Sequence, residues 1–400
     1  MRARYVTLLF LGLLGVGIAP ARSELAAPEP YLLVRSMRML QDQVASGKPE
    51  ALLMLNRVLG HIADDLQRAR PDVWQKPENV YALLVYLLNG GNPAIVRNVI
   101  GRLQPGQVDQ KLIAGSLAYA DGDSVRALDN FEQLPEGIPS ELVASIYLVT
   151  ADHMAAIDAG TALRRLDYIR LNAPGTLLEE AALRRELVIA ARLGESDKVR
   201  GLARNYLQRF ERSPYSEDFF RQFVEAILKL KGKMTDHEID DIASLAWRGA
   251  QLPLYLRIAR GSIVNGDLAR ARFAAEKARD LAVALKADDT QAQLYLSVAN
   301  VGSDKTAEAG RILNGLSRKN LHERDLELLD AARAMAAKIT AQPVAVAPPA
   351  EPAQPRVRES SAIAAEARPA EYEAPAEDNR IIEARKKLDA IDAILGNTRR

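Results

Sequence analysis

Residues 117 to 134 read Leu117-Ala118-Tyr119-Ala120-Asp121-Gly122-Asp123-Ser124-Val125-Arg126-Ala127-Leu128-Asp129-Asn130-Phe131-Glu132-Gln133-Leu134. Glycine accepts the left-handed conformation that closes a helix, and an aspartate side chain takes the orphan amides that open the next. Gly122-Asp123 therefore reads as a tight turn between two helices. Ala127 and Phe131 follow five and nine residues past the glycine. A small residue and then a large one at those steps let two helices approach and interlock.

The turn recurs at Gly160, Gly194, Gly232, Gly266 and Gly302, with successive gaps of 38, 34, 38, 34 and 36 residues. That is the period of a helical-hairpin repeat. Asp123, Thr161, Ser196, Thr235, Asp267 and Ser303 stand close behind as caps, so each glycine reads as the turn inside one antiparallel pair. Gly115, Gly122, Ala127 and Phe131 together resemble the tetratricopeptide pattern, and Gly266-Asp267 with Ala271 and Ala278 repeats part of it. The other units match in turn and period only. Thr176 with Glu179, and Thr235 with Glu238, have capping-box spacing. The expected fold is all-α: about six pairs wound as a right-handed, tetratricopeptide-like solenoid over residues 106–340, closed by a helix from Leu321 to Ile339. No β-branched alternation points to a sheet.

Residues 22–105 are helical but off this pulse. Leu33, Met37, Leu40 and Val44 form one apolar stripe that Gly47 stops. A second helix covers Pro49 to Arg68. A third, with Tyr81, Leu84, Val85 and Leu88, ends at Gly90-Gly91, and Asn92-Pro93 opens a fourth. Residues 1–21 read as a secretory signal peptide: Arg2 and Arg4, an uncharged run from Tyr5 to Ile18, then Ala19-Pro20-Ala21. The alternative is an N-terminal anchor, but the run is short against the ~20 residues of a span. Losing Arg2 and Arg4 takes the formal charge from +1 to −1, which gives nucleic acid no basic surface to meet. The chain has no cysteine, which excludes disulfides, thiolate metal sites and a lipoprotein anchor. The expected location is the bacterial periplasm, with no stable membrane insertion after cleavage.

Past Thr340 the composition changes. Residues 341–377 hold seven prolines and no Leu, Phe, Trp, Met or Gly, the signature of a disordered linker. In residues 378–400, Ile381, Leu388, Ile391 and Leu395 form one narrow seam flanked by charge. A lone helix of this length is marginal in water, so it is expected to fold against a partner or the solenoid; a solubilising tail is the alternative.

Catalytic signatures are missing. There is no nucleophile elbow, phosphate-binding glycine loop or histidine pair at metal spacing, and no cofactor is expected. His61, His153, His237 and His322 are far apart. Asp121 and Asp123 begin like a calcium loop, but Val125 and Arg126 occupy the positions of the next ligand and the turn glycine. Glu179-Glu180 and Asp240-Asp241 sit at helix starts, where the dipole already favours them. Periplasmic helical superhelices occur in wall-cleaving transglycosylases, yet no room remains after Ile339 for their catalytic domain. Trp74 and Tyr81, seven residues apart, are candidate anchors of a partner pocket, with core packing as the alternative.

The N-terminal part resembles the MotC family of periplasmic motility (chemotaxis) proteins. Glu29-Pro30-Tyr31, Leu33-Val34-Arg35-Ser36, Leu40-Gln41-Asp42-Gln43, Trp74, Tyr86-Leu87-Leu88 and Gly90-Gly91-Asn92-Pro93 carry the resemblance. It implies a non-enzymatic protein that binds the periplasmic part of the stator subunit MotB and is needed for flagellar rotation. The residues themselves imply an exported repeat protein with a protein-binding face, for which a general scaffold in cell-envelope or peptidoglycan assembly is the alternative.

Overall fold

In the computed structural model the described residues are 28–104 and 106–341. Four helices come first: α1 (Pro30–Ala45), α2 (Pro49–Arg68), α3 (Pro77–Leu88) and α4 (Pro93–Ile100). Their starts follow directly from sequence. Each has proline at its first position, where the missing N–H costs nothing, and Asn92 caps α4 by accepting from the Ala94 N–H at 3.0 Å.

The next twelve helices follow two by two: α5 (Gln110–Ala120) with α6 (Ser124–Asn130), α7 (Ser140–Ile157) with α8 (Ala159–Asn172), α9 (Leu177–Leu193) with α10 (Ser196–Phe210), α11 (Ser216–Lys229) with α12 (Asp236–Ala243), α13 (Arg248–Val264) with α14 (Leu268–Leu285), and α15 (Thr290–Asn300) with α16 (Thr306–Gly315). In five of the six the two helices pack on each other as the sequence predicts; the exception is the pair around Gly232, where the short α12 packs on α10 instead of on α11. A last helix, α17 (Glu323–Thr340), follows. No strand occurs among the described residues. The described residues are all-helical, as the sequence predicts.

The turns match the glycine pulse at four of six places. Gly122, Gly194, Gly232 and Gly266 have φ of +80°, +76°, +69° and +73°. Asp123 and Asp267 cap the helices after them, and Thr235 and Glu238 form the complete capping box. Ser196 is already helical, and Glu195 precedes it without a side-chain cap. Gly160 is not a turn. It lies within the first turn of α8, where the extended backbone of Asp158 breaks the chain and its carboxylate accepts from the Thr161 N–H at 3.1 Å. Aspartate does both jobs there, so no left-handed glycine is needed, and Thr161 receives the cap instead of supplying it. Gly302 is not left-handed either; the Ser303 hydroxyl accepts from the Lys305 N–H at 3.1 Å, and the Thr306 hydroxyl donates to Val301 O at 2.7 Å. Thr176 caps α9, but Glu179 reaches back to the Gly175 N–H at 2.6 Å, one residue short of a capping box.

Contacts pass along the series between odd-numbered helices, α3 with α5 and α7, then α7–α9, α9–α11, α11–α13, α13–α15 and α15–α17, and also between chain neighbours of successive couples, α6–α7, α8–α9, α14–α15 and α16–α17. Where couples press closest, side chains are small. The buried face of α14 includes Ala271, Ala274, Ala275, Ala278 and Ala282. In the first couple the aromatic ring of Phe131 fills the space over Gly115, where an added Cβ would lie 2.6 Å from the ring. One apolar cluster runs from Val34 through Trp74 and Phe131 to Ile146, so the first four helices and the first couples share a core.

The first helix makes a further contact that no local pattern announces. Besides packing on α2 and α3, α1 touches α9. The Asp42 carboxylate accepts from the N–H of Leu177, the first residue of α9, at 3.3 Å, and Ala45 joins the core built by α9 to α17. Gly47 ends α1 at φ +82°, and a Cβ there would come within 2.4 Å of Arg212 O. Both the backbone sign and the close approach require glycine at this position.

Candidate functional site

A groove of about 400 Å³ with an apolar floor lies between α1 and α3. Tyr31, Val34, Arg35, Arg38, Met39 and Asp42 supply one wall, at the three- and four-residue steps that put them on one helix face. Glu78, Tyr81, Ala82 and Val85 supply the other, and Pro139 and Glu141 close one end. Val34, Ala82 and Val85 are buried and make an apolar floor, while Met39 is 57% exposed at the rim. Arg38 and Glu141 pair across the closed end at 3.1 Å.

The walls are fixed from below. Fully buried Asn79 accepts from the Tyr31 N–H at 3.1 Å and donates to Val73 O at 2.7 Å, and Lys76 pairs with Glu29 at 2.5 Å. These bonds tie the start of α1 to the start of α3. Burial raises the Asp42 carboxyl above the ordinary range, against the Leu177 N–H and the positive charge of Arg38.

The two candidate aromatics part company. Tyr81 is half-buried and lines the groove. Trp74 does not: it stands in a short 3-10 turn (Pro71–Gln75), is 4% exposed, and packs in the N-terminal core. Ile381, Leu388, Ile391 and Leu395 lie outside the described residues, as do the signal-peptide segment 1–21 and the linker. Trp247, not among the sequence candidates, is 61% exposed one residue before α13, with its ring lying over Gly249. Its signal in the sequence is position: a large aromatic at a helix boundary, off the apolar stripe.

The acidic pairs are engaged more deeply than a helix dipole requires. Glu180 takes both arms of Arg184 at 3.0 Å and the Tyr206 hydroxyl at 2.7 Å; Asp240 takes Tyr255 at 2.5 Å and Lys277 at 2.8 Å. Asp325 on α17 repeats the scheme with Tyr295 at 2.9 Å, Gln291 at 2.9 Å and Arg260 at 3.3 Å. Burial beside these carboxylates pushes all three tyrosines well above the ordinary phenol range. Fully buried Glu186 accepts from Lys198 at 2.7 Å and Arg170 at 3.1 Å, yet burial pushes its carboxyl up to about 7. Buried carboxylates held in this way tie one helix to the next.

Among the described residues no cluster of three His, Cys, Asp or Glu could hold a metal ion, and no helix is long and apolar enough to cross a membrane. No solved structure matches the chain. The family model described as Chemotaxis protein MotC matches residues 1–400. A curated relative, the chemotaxis protein MotC of Rhizobium meliloti (strain 1021), is 31% identical over 417 residues, covering 96% of this chain and 94% of its own length. With its whole length matched by that model and by a relative at this identity, the chain belongs to the MotC family of chemotaxis proteins.

Proposed function

We propose that this chain is a non-enzymatic periplasmic component of flagellar motility that binds the periplasmic part of the stator subunit MotB and is needed for flagellar rotation. The observation that carries the reading is the family match along the whole chain, under a description that names a chemotaxis protein. The packed helix couples support it, because stacked pairs offer an extended face for a protein partner; in this reading they wind as a right-handed, tetratricopeptide-like superhelix. The signal-peptide pattern of residues 1–21 supports export to the periplasm.

A deletion strain, combined with cross-linking of the full chain in the periplasm and mass spectrometry of what it captures, tests the proposal. The expected result is assembled but non-rotating flagella and a MotB cross-link. Normal swimming would refute it, and defects of cell shape or septation would indicate an envelope-assembly scaffold instead.

A further inference from the structure

The groove between α1 and α3 carries charges that the described residues leave unpaired. Tyr31, Arg35 and Met39 follow one another at four-residue steps along the α1 rim, and all three are exposed. Exposed Glu78 stands on the opposite rim, on α3. Among the described residues neither Arg35 nor Glu78 takes part in an ion pair, whereas Arg38 and Glu141 at the closed end do. The α1 rim thus carries an unpaired cation at Arg35, the α3 rim an unpaired anion at Glu78, and the floor between them is apolar, with the half-buried Asp42 carboxyl turned to the Leu177 N–H.

We propose that this groove docks an amphipathic helix of a partner protein, one with a narrow apolar ridge, acidic residues facing α1 and basic residues facing α3. The inference rests on the reading that the chain works by binding a protein, and it names the surface and its ligand chemistry. Two packed helices with a furrow between them accept the i, i+3, i+4, i+7 ridge of a third. Arg35 and Glu78 act as flanking charges do in a helical zipper, setting the partner's identity and direction. The furrow is held open in advance by the Asn79 and Lys76–Glu29 ties, so little ordering is needed on binding. A second copy does not suit this groove, because a two-fold pairing would set one concavity against another.

The experiment selects helical peptides from a displayed library on the immobilised full chain. Enriched sequences are expected to carry an apolar ridge with Asp or Glu on one flank. Met39→Glu and Arg35→Glu, both at exposed positions and checked for unchanged circular dichroism, should each weaken a selected peptide at least tenfold. Changing that peptide's acidic flank to lysine should restore binding to the Arg35→Glu variant. An absence of peptides sensitive to Met39→Glu, or less than a twofold effect of Arg35→Glu, overturns the proposal. So does a dimer of the chain itself that Met39→Glu dissolves. The periplasmic region of MotB then serves as competitor. If it binds the chain and Met39→Glu leaves that binding intact, the groove inference fails while the functional reading stands. If groove-dependent peptides are found and MotB does not bind, the groove inference stands and the MotB reading fails.

Discussion

Gly115→Ala tests whether the small-and-large interlock of the first couple is physical. Alanine is the better helix former, by about 1 kcal/mol in a helix interior, and Gly115 lies inside α5. Against this, the new methyl would sit 2.6, 2.7 and 3.0 Å from three atoms of the Phe131 ring, about 0.8 Å short of ordinary contact at the closest. Phe131 is fully buried in the cluster that runs from Val34 to Ile146, so its ring has no solvent to retreat into. Overpacking costs roughly 1–3 kcal/mol, and three contacts this short against a fully buried ring put the site in the upper part of that range, about 2–3 kcal/mol, which outweighs the propensity gain. The expected net loss is about 1–2 kcal/mol.

Phe131→Leu removes the obstructing ring. By itself it leaves a partial cavity and destabilises, but in that background Gly115→Ala should be neutral or stabilising by up to ~1 kcal/mol. The same substitution therefore changes sign, and the coupling between the positions is about 2 kcal/mol. Urea unfolding followed by Trp74 fluorescence reads the relevant region, since Trp74 shares the buried cluster with Phe131. A Trp247→Phe background removes the exposed second tryptophan. Equal effects of Gly115→Ala in both backgrounds, or a neutral effect in the wild type, would refute the reasoning.

Three further outcomes are expected. The raised carboxyl of Glu186, at about 7, contributes stability that is complete below the unfolded value near 4.5 and disappears as pH rises through 7. Glu186→Gln should therefore gain on the wild type by up to about 3 kcal/mol between pH 5 and pH 8, read from urea midpoints at both pH values; a constant difference would show that Glu186 is already ionised at pH 5. Asp325→Ala strips Tyr295, Gln291 and Arg260 of their common acceptor and should cost roughly 2–3 kcal/mol, seen as lost hydrogen-exchange protection in α17 with α3 unaffected. Asp42→Ala removes the acceptor at the first amide of α9 and should cost about 1 kcal/mol, with faster exchange at Leu177 as its local sign.

How much of this was legible in the sequence depends on the distance over which each feature is decided. Gly122-Asp123 and the Thr235–Glu238 box could be read because a left-handed residue and a cap are settled within a few positions. Gly160 misled because two local solutions compete for the same turn, and Asp158 supplied one that needs no glycine. The acidic pair Glu179-Glu180 was legible only in part. The helix start explains a carboxylate there, but the donors that allow burial, Tyr206 and Arg209, come 26 and 30 residues later, on the next helix. The groove lies furthest from local reading. Its residue types are visible, since Tyr31, Arg35, Met39 and Tyr81 stand in plain periodic positions, yet nothing near them in sequence says that α1 lies against α3 and reaches α9. That placement comes from Asn79 gripping Tyr31, from Asp42 at Leu177 across 135 residues, and from Gly47 making room for Arg212. The same long-range ties that hid the groove fix the position of its α1 wall, so a perturbation at Gly47, which does not line the groove, should still reach it.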